Sequence, residues 1–232
     1  MHFHLPKPLH GWRQLAGEVG IIVLGVLIAL SAEQFVSNMT WRIDVRDFRS
    51  AVDAEFEFNL AAGEYRVRQS PCLERRLAEL KRWSADQRAG RAVPLRREID
   101  FPRRIYPDVA VWNARGADLP AHLPIQARLA YSDLSDLVGN QWEQIQAERQ
   151  TWLSLNGFNH VTQLGPSDLI RLDELLFRAT TLNDLIKGDQ NDLGADAAML
   201  GLRPSFGSFA GQISPPQADF CRPLLPPDGK RA

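Results

Sequence analysis

The pattern of apolar and polar positions changes once, early in the chain. Val19 to Leu30 reads VGIIVLGVLIAL, a run with no polar side chain and no alternation. Extended to Leu15 and Val36 it covers about 22 residues, or about 33 Å of helix, enough to cross ~30 Å of hydrocarbon. Glu18, Ser31, Glu33 and Gln34 fall near its ends, where water is within reach. Trp12 and Trp41 flank it at about 43 Å of helical rise, the separation of two membrane interfaces, and are the expected interface anchors. The pattern predicts a short flank over residues 1–14 and a transmembrane helix over 15–36. Two rival readings stay open. A basic n-region (Lys7, Arg13), an apolar core and Ala29-Leu30-Ser31 also fit a cleaved signal peptide, although Glu18 heads the apolar run. The same run also fits a buried soluble helix.

From Trp41 the spacing becomes three-four. Trp41, Val45, Phe48, Val52, Phe56, Leu60, Gly63 and Val67 form one stripe, predicting that the helix continues as an amphipathic stalk. Ser70-Pro71 reads as a break with Ser70 as N-cap, opening a helix that buries Leu73, Leu77, Leu80 and Trp83 and ends near Gly90. A proline-bearing loop, a short helix near 108–115 and a turn region over 118–124 follow. Two long helical stripes come next, one over 125–156 and one after Gly165-Pro166, with Ser167 expected as its cap. The expected fold is all-α. A transmembrane helix continues into an antiparallel helical bundle over residues 37–202, and a Pro-rich extended segment over 203–232 lies against it through Phe206, Phe209, Ile213, Phe220 and Leu224.

Composition narrows the function. A net charge of −1 argues against holding nucleic acid by phosphate neutralisation. The charge is uneven, however. The stretch from Glu64 to Arg104 is strongly basic and that from Asp133 to Leu200 strongly acidic. Either the basic stretch faces an anionic partner, or the two stretches pack together and neutralise each other.

On the apolar helix, Gly25, Ala29 and Ala32 fall on one face with Glu18. Such a face admits a second helix closely, so a homodimer or a partner membrane helix is one reading, and the ordinary abundance of small residues in membrane helices is the other. Orientation is balanced. Arg42, Arg46 and Arg49 slightly favour a cytoplasmic domain by the positive-inside count. Cys72 and Cys221, the only cysteines, favour an oxidising side if they pair. Their alternative is two unpaired buried thiols.

Candidate chemistry is sparse. His2-Phe-His4 has no third ligand at a suitable spacing, so no metal site is expected. Asp189 to Gly194 has the outline of a calcium loop, but Leu193 and Leu200 occupy ligand positions, and it reads as a helix-ending turn. Asp173-Glu174, Glu143 and Glu148 read as solvated helical carboxylates. No nucleophile elbow, P-loop, dinucleotide fingerprint or zinc-protease motif is present, so neither a catalytic role nor a cofactor is expected. Trp112, Trp142 and Trp152 are expected in the core, with a ligand pocket lined by Trp112 or Trp142 as the rival reading.

The opening Leu5 to Val36 resembles the start of a family of uncharacterised bacterial single-span proteins. Pro6, Pro8, Leu9, His10, Gly11, Trp12 and Arg13 match its Pro-x-Pro-Leu-His-Gly-Trp-Arg lead, and Gly17 to Leu27 match the apolar run. Cys72, the segment around Trp112, and Trp152 extend the likeness more loosely. The resemblance implies an uncleaved anchor and a helical domain, and no activity. The expected protein is therefore a single-pass protein of the bacterial inner membrane, its partners the lipid bilayer and, in the close-packing reading, a second copy or another membrane helix. Its C-terminal domain is expected in the periplasm as an interaction or scaffolding module. A sensor-type ectodomain with an unidentified small ligand and a secreted enzyme released by cleavage are the alternatives.

Overall fold

The computed structural model describes residues 11–91, 93–114, 118–212 and 218–226. His2, His4, Pro6, Lys7, Pro8, Leu9, His10 and Ile213 lie outside them. Among the described residues every regular element is helical and no strand occurs, in line with the all-α expectation. The elements are α1 (Gly11–Val67), α2 (Ser70–Arg88), α3 (Ala110–Asn113), α4 (Asp118–Ala121), α5 (Ile125–Asn156) and α6 (Pro166–Met199). Short 3-10 helices follow over Gly207–Gln212 and Ala218–Cys221. The chain divides into two compact units, Met1–Arg49 and Ser50–Ala232.

In the first unit α1 carries the apolar run, and this is the one helix among the described residues long and apolar enough to cross a membrane. Its large side chains are bare: Ile21 is 75% exposed and Ile28 61%. Ser31 and Thr40 return their hydroxyls to the carbonyls of Leu27 and Val36 at 2.7 and 3.1 Å, so neither depends on water. Gly25, Ala29 and Ala32 are all exposed, and a Cβ on Gly25 would meet nothing within 4 Å. Trp12 is exposed and Trp41 half-buried.

In the second unit the expected stalk is a core helix instead. Val52, Phe56 and Leu60 of α1 are buried, but so are Glu55, Asn59 and Arg66, which a stalk would show to water. Each of these polar groups has a partner from another segment, which is what lets the helix be covered on more than one face. The main core joins Leu73, Leu77, Leu80 and Trp83 of α2 to Trp152 and Leu155 of α5 and to Leu172, Leu176 and Ala179 of α6. Phe220 and Leu224 complete it, so the C-terminal segment is part of the core, and it carries 3-10 turns where an extended strap was expected.

Two caps differ from the expectation. Gln69, not Ser70, precedes α2, and its side chain clamps Arg103, accepting the backbone N–H at 2.9 Å and donating to the carbonyl at 2.8 Å. Ser70 sits in the first turn and donates to Asn183 Oδ1 at 2.9 Å. At α6 the cap position is Gly165, whose N–H donates to the Asp168 carboxylate at 3.0 Å, and Ser167 is exposed. The helix runs on to Met199, so Asp189 to Gly194 is mid-helix rather than a terminating turn. Gly201, at φ 80°, ends it in the left-handed conformation that glycine adopts freely.

Cys72 and Cys221 are joined by a disulfide, with 4.9 Å between their Cα atoms. It ties the start of α2 to the C-terminal segment beside the core.

Candidate functional site

An apolar cleft grows from one face of α1. Ala51, Ala54 and Phe58 recur at three-four spacing, and the two alanines leave room where larger side chains would close it. Tyr106, Pro107, Asp108 and Val111 form a second wall, and Ser205 to Phe209 a third. The volume of this half-open cleft is about 560 Å³, within the range of small-molecule sites. Phe58 meets the edges of Phe206 and Phe209, both at 5.8 Å between centroids.

The walls are pinned by hydrogen bonds from α1. Asn59 holds Asp108 by both backbone groups, accepting its N–H at 2.8 Å and donating to its carbonyl at 2.5 Å. Glu55 accepts the N–H groups of Val111 at 2.6 Å and Trp112 at 2.9 Å, supplying the start of α3 with the acceptor its own cap residue lacks. Burial pushes the Glu55 carboxyl above its ordinary value, against the pull of those two amides. On the third wall, Ser205 donates its N–H to the carbonyl of Glu57 at 3.0 Å. The described lining contains three carboxylates (Glu55, Glu57, Asp108) and no lysine, arginine or histidine. Its chemistry is that of an aromatic slot with acidic edges, suited to an apolar body bearing a positive head.

The tryptophans fall elsewhere. Trp112 is buried, packed with Phe56 and Tyr131, and Trp152 is buried against Phe220. Trp142 is only half-buried, outside the core proper, with Tyr106 5.2 Å away and the Arg104 guanidinium over its ring. The gap beside Trp142 amounts to about 10 Å³, room for one water at most, and neither Trp112 nor Trp142 lines the aromatic cleft, which gives the rival reading of a pocket walled by them no support. Phe206 and Phe209, expected merely to cover the helices, are instead the aromatic wall of the cleft. The Ala51, Ala54, Phe58 spacing was the available signal for it.

The uneven charge is partly consumed inside the fold. Arg66 pairs with Glu148, Arg88 with Asp173 and Lys187 with Glu74, so the basic and acidic stretches do meet. Glu148 is thereby a buried ion-pair partner, not a solvated carboxylate, while Glu143 and Glu174 are exposed. Among the described residues no group of three or more His, Cys, Asp or Glu side chains converges to hold a metal ion.

No family model, curated protein or solved structure matches the chain.

Proposed function

We propose that this is a single-pass protein of the bacterial inner membrane whose second unit is a binding domain for an amphiphilic cation. The observation that carries the binding role is the 560 Å³ cleft with aromatic walls and carboxylate edges. Anchoring is supported by the bare apolar surface of α1, which is costly to leave in water and which lipid would cover. The Cys72–Cys221 bridge supports a periplasmic domain, since disulfides persist in oxidising compartments. We read the second unit as an antiparallel bundle. Along α5 and α6 the partners run in opposite order: Gln141 with Gln190, Gln144 with Asp189, and Glu148 with Asn183 through one shared guanidinium. Carbonate extraction of intact membranes should leave the full-length chain in the pellet; recovery in the supernatant overturns the anchor. For the cleft, a matched pair of opposite charge serves: 2-phenylethylamine should raise the melting temperature of the detergent-solubilised chain, and 3-phenylpropionate should not. Equal or absent shifts overturn the cationic reading.

A scaffolding role forms a second reading, favoured by Ile170, Phe177 and Leu185, exposed within about 80° of one another on α6. If that face is an interface between copies, crosslinking in membranes yields a dimer that Phe177→Glu removes.

A further inference from the structure

Arg76 on α2 is only 3% exposed, yet its Nε and Nη1 have no hydrogen-bond partner among the described residues. Its Nη2 reaches the carbonyl of Arg222 at 3.5 Å, and the guanidinium lies 4.5 Å from the centroid of Phe220. A ring face supports the charge but accepts nothing from the in-plane N–H groups, and a buried charged donor left unpaired is among the costlier defects a fold can hold. Burial works against the charge, while the carboxylates of Asp100 and Glu79 support it from a distance.

This guanidinium, with two of its three nitrogens lacking a partner among the described residues, lines a hollow of about 300 Å³ together with Arg97, Glu98 and Asp100. Arg97 is shared with a wider hollow of about 770 Å³ that adds Arg82, Arg96, Arg222 and Glu79. Two of the three carboxylates are already occupied: Glu79 accepts the N–H of Leu224 at 2.9 Å, and Asp100 that of Phe101 at 2.8 Å. The smaller hollow alone holds two guanidiniums and two carboxylates; the wider hollow beside it adds three more guanidiniums and one carboxylate, so the two together are net positive. Arg76, Arg96 and Arg97 belong to the basic stretch and take no part in its ion pairs with Glu148 and Asp173, while Arg82 of the same stretch lies 3.9 Å from Glu79.

We propose that the hollow beside Arg76 binds a tetrahedral oxyanion, a phosphate or sulfate group, with the Arg76 N–H edge as its floor and Arg97 as the second cation. Arginine suits the task because its planar fork donates two parallel bonds to such a group. None of these residues lines the aromatic cleft, so the two sites stand or fall separately. The disulfide holds Phe220 and Arg222 in place at this site, making oxyanion binding dependent on the oxidised chain.

The test is calorimetric titration of the full, oxidised chain with inorganic phosphate, at an ionic strength fixed with chloride. One-to-one saturable binding is expected, weakened at least about tenfold by Arg97→Gln, abolished by Arg76→Gln and unchanged by Arg171→Gln on exposed α6 surface. No saturable heat, or equal affinity in all four proteins, overturns the site and leaves water as the partner of Arg76. If Arg76→Gln fails to fold, the contrast between Arg97→Gln and Arg171→Gln decides alone. Competition by glycerol phosphate identifies a soluble ester as the natural source, and competition by phosphatidylglycerol vesicles alone identifies a lipid headgroup; either supports the site.

Discussion

Arg66 of α1 and Glu148 of α5 form a two-pronged ion pair, each side chain 1% exposed, at the meeting point of four helices. Arg66 also donates to Ser70 at 3.3 Å and to Asn183 at 3.2 Å, so α2 and α6 are tied to the same guanidinium. Removing one partner leaves an uncompensated buried charge. Glu148→Gln or Arg66→Met should therefore lose about 3–5 kcal/mol in denaturant unfolding. The paired replacement Arg66→Met with Glu148→Leu should recover most of that loss, because two apolar groups need no partner. A double variant as unstable as the singles would show that the pair is not the source of the cost.

Gly63 faces a buried amide pair. A Cβ there would stand 1.8 Å from Gln190 Oε1, which accepts the Gln141 amide at 2.9 Å while Gln190 donates to the Leu60 carbonyl at 3.2 Å. Gly63→Ala should cost about 1–3 kcal/mol by breaking these bonds, despite a helix-propensity gain of about 1 kcal/mol. In a Gln190→Ala background the sign should reverse and the alanine should stabilise. Thermal melts of the four proteins check the reversal.

Glu55 predicts a direction for pH dependence. Its folded value lies above the ordinary 4.5, so its contribution is fully present below about 4.5 and is lost as pH rises through the folded value. Glu55→Gln cannot ionise and lacks this loss. Melting temperatures of the two proteins should diverge in favour of the wild type as pH falls from 7 to 4. A constant difference across that range would mean that Glu55 is not the titrating group.

The Cys72–Cys221 bridge closes a sequence separation of 149 residues. The chain-entropy estimate for a loop of that size is about 5 kcal/mol, usually less in practice. Cys72→Ser should lower the unfolding free energy by about 2–5 kcal/mol, and reductant should shift the gel mobility of the wild type but not of the variant.

Ala54 lies on the cleft floor. Ala54→Trp should fill the slot, leaving the melting temperature within a few degrees while removing the shift produced by 2-phenylethylamine. A shift of unchanged size would place that amine elsewhere on the molecule.

Some of this architecture was legible in the residues and some was not, for physical reasons. The apolar run of α1 announces itself because nothing in it is polar, and α5 and α6 open at Pro124 and Pro166, which suit the start of a helix but not its interior. The stalk reading failed because Glu55, Asn59 and Arg66 look like a solvated face when read alone. Their partners, Trp112, Asp108 and Glu148, lie far along the chain, and a buried charge is indistinguishable from an exposed one until its counterpart is placed. Ser70 and Ser167 are good caps by type, but a clamp on Arg103 and the Asp168 carboxylate took those positions. The cleft draws on three separated segments, and only the alanine spacing on α1 is local enough to be read from one of them.

The aromatic wall bearing Phe206 and Phe209 lies between the end of α6 and Cys221, so it is fastened at both ends, by peptide bonds on one side and by sulfur on the other. A single protease cut within Arg203 to Gln212 would therefore release nothing while the bridge is intact. The nicked protein would travel as one species under oxidising conditions and separate into two only after reduction. In an oxidising compartment the wall would survive damage that would strip a free tail away.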